Sequence, residues 1–116
     1  MPLTFSLTHA SPASLETPLL AIVLPSDVSS DASWQAAFAP LDAILHGTLS
    51  RSLTRRDFRG GRDETLLLAG GETGVQRVLL VGRGSEPLTR SVARRAAAVA
   101  ARAVNKLGVP EMTCWI

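Results

Sequence analysis

The amino-acid sequence predicts a single small α/β domain. The chain has 116 residues, of which 46% are hydrophobic and 19% charged, so it holds enough apolar material for one modest core. Short apolar runs typical of buried strands alternate with segments of helical periodicity. The clearest unit extends from Gln76 to Leu107, where a buried-strand pattern leads through a glycine-containing turn into a long amphipathic helix. Such alternation favours a sheet with helices packed against it.

Two strands and a helix are predicted in the first half of the chain. Residues 3–7 alternate apolar and polar side chains, which indicates a strand with one face on the core. Residues 19–24 are continuously apolar and stop at a proline, the pattern of a central strand buried on both faces. A short helical turn over 34–38 is expected to end before Pro40. A helix over 41–55 follows, because large apolar residues recur on one face at 41, 44, 45, 49 and 53.

A hairpin is predicted in the second half. Residues 65–69 form a short apolar run that ends at a pair of glycines, and 76–81 form a second run rich in aliphatic side chains. Because only residues 70–75 separate them, the two runs are expected to pair as neighbouring strands.

A long helix and a last strand complete the prediction. The helix extends from Pro87 or Thr89 to Leu107, with Ser85 or Thr89 as its N-cap, and Gly108 supplies a stop. At about 100° per residue, one half is cationic and the other apolar. The cations are at 90, 94, 95, 102 and 106, and the apolar residues are at 92, 96, 99, 103 and 107. Residues 112–116 again have a strand pattern without a polar tail, which predicts a domain truncated at its C-terminal end, part of a longer polypeptide.

Charge is unevenly distributed along the chain. Residues 1–50 contain four acids and no Lys or Arg, whereas residues 51–116 contain twelve bases and six acids. Such asymmetry indicates an acidic partner or nucleic acid, although Arg outnumbers Lys eleven to one, a bias that genome composition also produces. The lone Cys114 forms no internal disulfide, and neither a secretory leader nor a membrane-spanning run is evident, so a cytoplasmic protein is expected.

The turn Gly82–Ser85 is the first candidate for a binding site. Backbone N–H groups between a strand and a helix N-terminus can hold a phosphate. Pro87 stands where a dinucleotide-binding turn has a small residue, and Glu86 places negative charge beside any phosphate. A plain strand-to-helix turn is therefore the preferred interpretation.

Catalytic and metal-binding constellations are not predicted in this chain. His9 and His46 are its two histidines, they lack the spacing of a helical metal motif, and Cys114 has no second cysteine beside it. Asp63 and Glu64 resemble a carboxylate pair, but adjacent residues point in different directions, so a solvated turn is preferred. No catalytic, cofactor-binding or metal-binding residue is assigned.

A run of arginines surrounds one aromatic residue, Phe58. The arginines are at 51, 55, 56, 59 and 62. They can contact phosphates, but single-strand binding sites usually offer several aromatic side chains for stacking. A charged helix end that complements the helix dipole is the preferred interpretation, and contact with an acidic neighbouring domain is an alternative.

Three ordered stretches resemble the N-terminal domain of the leucyl aminopeptidases, the cytosol aminopeptidases of peptidase family M17. The first is 41–49 (LDAILHGTL), followed by 57–60 (DFRG) and by the strand 65–69. The second is 77–84 (RVLLVGRG), and the third is 94–98 (RRAAA) within the Ala-rich helix. The resemblance covers most of residues 18–116.

The resemblance implies a macro-like mixed sheet flanked by helices, packed against a separate catalytic domain. In that family the two divalent metals, zinc or manganese, and the peptide-bond chemistry belong to the C-terminal domain, whose Asn-Thr-Asp-Ala-Glu-Gly-Arg signature has no counterpart here. The family assembles as a hexamer with help from its N-terminal domains. The expected function is thus that of a non-catalytic domain serving assembly and packing in a cytosolic bimetallic aminopeptidase. The alternative is a stand-alone macro-like module for a phosphate or ADP-ribose-type ligand. Nucleic acid and membrane are not expected partners.

Overall fold

A mixed β-sheet organises the part of the chain that the structure, a computed structural model, describes. That part comprises residues 4–8, 17–26, 38–43, 45–69, 75–85, 87, 89–108 and 111–115. Within it the strands are β1 (Thr4–Thr8), β2 (Leu20–Pro25), β3 (Thr65–Ala69), β4 (Arg77–Gly84) and β5 (Glu111–Trp115). Residues 38–43 are helical (α1), and two further helices are α2 (Thr48–Thr54) and α3 (Arg90–Asn105).

The sheet has the order β1-β5-β2-β4-β3. β2 lies in the middle and pairs in parallel with β4 on one side and β5 on the other, and β1 is parallel to β5. β3 is antiparallel to β4, with Leu67 opposite Leu79, so the predicted pairing of these two runs is confirmed. Both parallel neighbours of β2 are reached by crossovers that include helices, as parallel pairing requires.

Side-chain alternation along β2 produces two separate cores, one on each face of the sheet. Leu20, Ile22 and Leu24 face a cluster that contains residues of α1, α2 and the segment that follows α2. Ala21 and Val23 face a second cluster, built with the apolar side of α3. Because successive strand side chains point to opposite faces, a continuously apolar strand is needed where both faces are covered. The prediction of a doubly buried central strand is confirmed.

The predicted single helix over 41–55 is wrong, because the chain turns between α1 and α2. His46 and Gly47 both have positive φ angles, 57° and 78°. The Gly47 N–H donates to the Asp42 carbonyl at 2.8 Å and the His46 N–H to the Ala43 carbonyl at 3.2 Å, the pair of bonds that closes a Schellman-type helix end. Leu41, Leu45 and Leu49 stay buried on the same core, so the apolar stripe continues across the break.

Pro40 does not end a helix as predicted, because it lies within α1. A proline is compatible with the first turn of a helix, where no backbone N–H is needed as a donor. Of the predicted turn over 34–38, residues 34–37 lie outside the described part of the chain.

Helix α3 begins and ends close to its predicted limits. Thr89 is the N-cap and its Oγ1 accepts a hydrogen bond from the Val92 N–H at 3.2 Å, so the choice between Ser85 and Thr89 falls on Thr89. Past the other end, Gly108 adopts a φ of 68°, in the left-handed region that terminates many helices.

Replacing Thr89 by alanine is expected to lower the free energy of unfolding by about 1 kcal/mol, because the Val92 N–H loses its partner. Urea denaturation followed by circular dichroism measures the change. Thr89→Ser retains the hydroxyl and should stay near the wild-type value. Ser91→Ala, at an exposed neighbouring position, is the control for removing a hydroxyl that does not cap the helix. Equal losses for Thr89→Ala and Thr89→Ser would rule out the cap as the cause.

Candidate functional site

The carboxyl ends of β2 and β4 are where an α/β sheet of this kind usually receives a ligand. In this chain the segment Gly60–Glu64 lies against them. The Gly82 N–H donates to the Glu64 carbonyl at 2.7 Å, and the Asp63 N–H donates to the Gly82 carbonyl at 3.0 Å. The Gly84 N–H donates to the Gly60 carbonyl at 2.9 Å. The segment therefore continues the hydrogen bonding of β4 beyond β3.

The backbones approach so closely here that side chains are excluded. A Cβ atom on Gly82 would lie 2.0 Å from the Gly61 carbonyl oxygen, and one on Gly60 would lie 2.1 Å from the Pro25 carbonyl oxygen. Ser26 closes the contact, because its N–H donates to the Gly84 carbonyl at 3.0 Å and its hydroxyl to the Gly60 carbonyl at 3.3 Å. We call this contact of Pro25–Ser26, Gly60–Glu64 and Gly82–Gly84 the glycine junction.

The glycine junction corrects the interpretation of Gly82–Ser85 as a strand-to-helix turn. β4 continues through Gly84, and only Ser85 lies in a turn. The N–H groups of Gly82 and Gly84 already donate to the chain itself, so neither is available to a phosphate. Between them, Arg83 is half-buried, and its buried Nε has no hydrogen-bond partner among the described residues.

Asp63 and Glu64 point apart, as predicted from their adjacency. The Glu64 carboxylate turns back into its own loop and accepts from the Arg59 N–H at 3.2 Å and the Gly61 N–H at 3.0 Å. The Asp63 carboxylate forms an ion pair with Arg95 of α3 at 3.4 Å. Both carboxylates therefore hold the loop in place, and they do not form an acid–base pair.

The arginine run remains on the surface, but its aromatic residue does not. All five arginines, at 51, 55, 56, 59 and 62, are exposed. Phe58 is 1% exposed and belongs to the core beneath α2. Its ring is therefore unavailable for base stacking. The Arg51 side chain binds the turn between α1 and α2, where its Nη1 donates to the His46 carbonyl at 2.9 Å.

The candidate metal ligands are not brought together in the described part of the chain. His46 is exposed in the turn between α1 and α2, Cys114 is buried in β5, and His9 lies outside the described residues. No group of three or more His, Cys, Asp or Glu side chains converges among the residues described. None of the described helices is long and apolar enough to cross a membrane.

Burial raises the pKa of the Cys114 thiol from 9.0 to about 11. The folded state therefore retains the thiol proton more tightly than the unfolded state, and folding stability is lost as the pH rises from 9 towards 11. We expect the thiol to contribute a loss of about 2 kcal/mol by pH 10.5, measured as the difference between wild type and Cys114→Ala in urea titrations at pH 8 and pH 10.5. Equal pH dependence of the two proteins would contradict this expectation.

Helix α3 divides into two sides much as predicted. Its exposed cations are Arg90, Arg94 and Arg102, and the C-cap Lys106 is also exposed. Val92, Ala96 and Val99 are buried, together with Ala100 and Val104. Leu107, predicted on the apolar side, is instead 39% exposed, because α3 ends at Asn105 and Leu107 lies beyond it.

Two features of the structure were not predicted from the sequence. The first is the close backbone approach at Gly82. Its only sign in the sequence is a Gly-Arg-Gly pattern at a strand end, and phosphate-binding turns have the same pattern. The second is the 41% exposure of Leu67, because nothing in its apolar run distinguishes it from its more buried neighbours.

Comparisons with known proteins agree with this architecture. The model of the N-terminal domain of the cytosol aminopeptidase family matches residues 23–116. A search of curated proteins gave no match. Among solved structures, a tomato leucine aminopeptidase mutant superposes with a TM-score of 0.71 at 22% identity, over 97% of this chain and 23% of that one. The macrodomain of Mycobacterium tuberculosis DarG superposes with a TM-score of 0.63 at 9% identity, over 96% of this chain and 74% of that one.

The two structural likenesses establish the fold, a macro-like mixed sheet with helices on both faces. The chain spans about a quarter, 23%, of the leucine aminopeptidase that it resembles. The match to the family extends over most of the chain and includes the second half of β2 and every later strand and helix. This protein therefore belongs to the cytosol aminopeptidase family, of which it represents the N-terminal domain.

Proposed function

We propose that this chain is the non-catalytic N-terminal domain of a cytosolic leucyl aminopeptidase and that it serves assembly and packing against the catalytic domain. The observation that carries the proposal is the family match over residues 23–116. The two divalent metals, zinc or manganese, and the catalytic residues would belong to that other domain. The family's name supports the cytosolic setting.

The polar groups near the sheet's carboxyl end are consistent with this role. Asp63, Glu64 and the glycines at 82 and 84 are engaged in holding one segment of the chain against another. The exposed cations of α3 leave a charged surface for a neighbouring domain. An interface of this kind requires shape and charge complementarity and no reactive group.

Sequencing the gene downstream of the codon for Ile116 and assaying the encoded protein tests the proposal. We expect an Asn-Thr-Asp-Ala-Glu-Gly-Arg motif, and hydrolysis of leucine p-nitroanilide by the whole protein with Zn²⁺ or Mn²⁺. The 116-residue chain alone should give no turnover under the same conditions. Turnover by the chain alone, or an intact reading frame that stops directly after Ile116, would refute the proposal.

The second candidate is a macro-like module for a phosphate or ADP-ribose-type ligand. The specific observation in its favour is the buried, unpartnered Nε of Arg83 at the carboxyl end of β4. Against it, the neighbouring N–H groups of Gly82 and Gly84 already have acceptors.

Isothermal titration calorimetry separates the two candidates. ADP-ribose and inorganic phosphate are titrated into the wild type and into Arg83→Gln, with the exposed Arg55→Gln as the matched control. Absence of heat at millimolar ligand dismisses the second candidate. Binding that Arg83→Gln abolishes and Arg55→Gln retains would establish it.

A further inference from the structure

Arg83 is the extra residue of a β-bulge at the carboxyl end of β4. Two consecutive residues of β2, Leu24 and Pro25, lie opposite Gly82 and Gly84. Arg83 stands between these glycines and therefore has no counterpart on β2. Gly84 has a φ of 77°, a left-handed conformation that bulges commonly place on a glycine. Bulges are frequent beside binding sites, where they redirect a side chain, so the environment of Arg83 is the first place to look for a ligand.

The Arg83 side chain lies beside a fixed backbone and lacks an acceptor for its buried nitrogen. The N–H groups of Gly82 and Gly84 donate to the segment Gly60–Glu64, which holds the backbone on both sides of Arg83. Its Nε is the one buried side-chain nitrogen or oxygen without a hydrogen-bond partner among the described residues. A charged group that is buried and unpaired is costly, so an acceptor supplied by a partner would stabilise this arrangement.

The two carboxylates of the adjacent segment already have partners. Asp63, whose N–H donates to the Gly82 carbonyl, forms its ion pair with Arg95 at 3.4 Å. Glu64 accepts hydrogen bonds from N–H groups of its own loop. The helix that follows β4, α3, contains no Asp or Glu. Neither carboxylate on this segment is therefore available to Arg83, and α3 supplies none.

We propose that Arg83 binds the carboxylate of an Asp or Glu side chain in the catalytic domain of the parent enzyme. The inference rests on the proposed function and names one residue of the contact between the two domains. An arginine side chain offers Nε and one Nη as parallel donors, which match the two oxygens of a carboxylate. Binding a carboxylate in this way uses the donor that the described chain leaves without an acceptor.

The glycine junction favours a carboxylate over a phosphate group. A phosphate at the end of a strand is usually held by several backbone N–H groups. Here the N–H groups of Gly82 and Gly84 already donate to carbonyls of the chain. A Cβ atom on Gly82 would lie 2.0 Å from the Gly61 carbonyl oxygen, so no room remains for a phosphate against that backbone. A planar carboxylate needs only the two donors of one guanidinium group.

Zero-length cross-linking of the whole protein that the gene encodes, with the substitution Arg83→Lys, tests the contact. A carbodiimide joins a lysine amine to a carboxylate in direct contact with it, and peptide mapping by mass spectrometry then identifies that carboxylate. We expect a link from position 83 to an Asp or Glu downstream of Ile116. The wild type and Arg55→Lys, at an exposed position, provide the background.

Arg83→Gln provides a second measurement, because its effect should differ between the whole protein and the 116-residue chain. In the whole protein, we expect proteolysis to release the N-terminal domain about tenfold faster than in the wild type, the factor that a hydrogen bond to a charged group contributes. In the 116-residue chain the urea midpoint should be unchanged or higher, because a buried charge without an acceptor is removed. Arg55→Gln should have no effect in either protein.

Several outcomes would overturn the inference. A link from position 83 to an acid within residues 1–116, such as Glu86, would assign the acceptor to this chain. Absence of any link, or an equal loss of stability by Arg83→Gln in both proteins, would exclude a contact between domains. Stabilisation of the 116-residue chain by inorganic phosphate that Arg83→Gln abolishes would assign Arg83 to a free anion. The proposed function survives each of these results, because the downstream sequence and the activity of the whole protein test it separately.

Discussion

Replacing Gly82 by alanine is expected to destabilise the folded domain by at least about 3 kcal/mol, the upper end of the range for overpacked interiors. The added Cβ would lie 2.0 Å from the Gly61 carbonyl oxygen and 2.7 Å from the Gly60 carbonyl carbon. Both atoms belong to backbone, and the Gly82 N–H is bonded to Glu64 in the same segment. The segment can move away only by breaking these hydrogen bonds. Urea denaturation, with circular dichroism as the readout, measures the loss.

Two other glycines, Gly61 and Gly108, provide controls. Among the described residues, a Cβ on Gly61 would meet only the Glu64 side chain, at 3.4 Å, so Gly61→Ala should be nearly neutral. No described residue approaches a Cβ on Gly108 within 4 Å, but Gly108 has a φ of 68°, so Gly108→Ala should cost about 1 kcal/mol through backbone strain. If Gly82→Ala unfolds at the same urea concentration as Gly61→Ala, the close approach at the glycine junction is not a constraint on the fold.

The glycine junction also marks a limit of sequence reasoning. Apolar runs and the period-two and period-3.6 patterns depend on neighbours in sequence, and they correctly predicted the strands and the helix α3. The role of Gly82 depends on Gly60 and Gly61, which lie far from it in the chain and reach it only in the folded state. A glycine at a strand end fits a phosphate turn, a plain turn or a close backbone contact, and the sequence analysis weighed only the first two.

The break between α1 and α2 escaped prediction for a related reason. Leu41, Leu45 and Leu49 lie on one core whether or not the helix is continuous, so their spacing does not report the turn. Glycine is a poor helix former, so Gly47 weakens a continuous helix, but the turn also uses His46 at a φ of 57°. Non-glycine residues in that region are uncommon, and periodicity contains no information on φ.

The exposure of Leu67 depends on tertiary structure in the same way. An apolar run predicts a strand, but only the sheet order shows whether that strand is central or at an edge. Leu79, its partner on β4, is 3% exposed, whereas Leu67 is 41% exposed. Two similar apolar runs therefore have different surroundings, which their sequences do not distinguish.

Replacing Phe58 by alanine is expected to lower the free energy of unfolding by about 3–5 kcal/mol, the range for a large aromatic side chain removed from a core. Phe58 is 1% exposed and packs in the cluster that includes Leu41, Leu45 and Leu49. Phe58 lies in the segment that follows α2, and its burial packs that segment against the sheet. Phe58→Leu keeps most of the apolar volume and should cost less than half as much. Urea denaturation of the three proteins gives the comparison.

This prediction also separates the two interpretations of the arginine run. A ring used for stacking on nucleic acid would be exposed, so its removal would weaken binding to single-stranded DNA and leave folding stability unchanged. A ring in the core gives the opposite result. Its removal causes a large loss of folding stability, and the fraction of protein that remains folded keeps any affinity for DNA unaltered. Arg55→Gln, at an exposed neighbour, controls for the charge and should leave stability within about 0.5 kcal/mol of wild type. A stable Phe58→Ala protein with weakened DNA binding would reverse the assignment and restore the arginine run as a nucleic-acid surface.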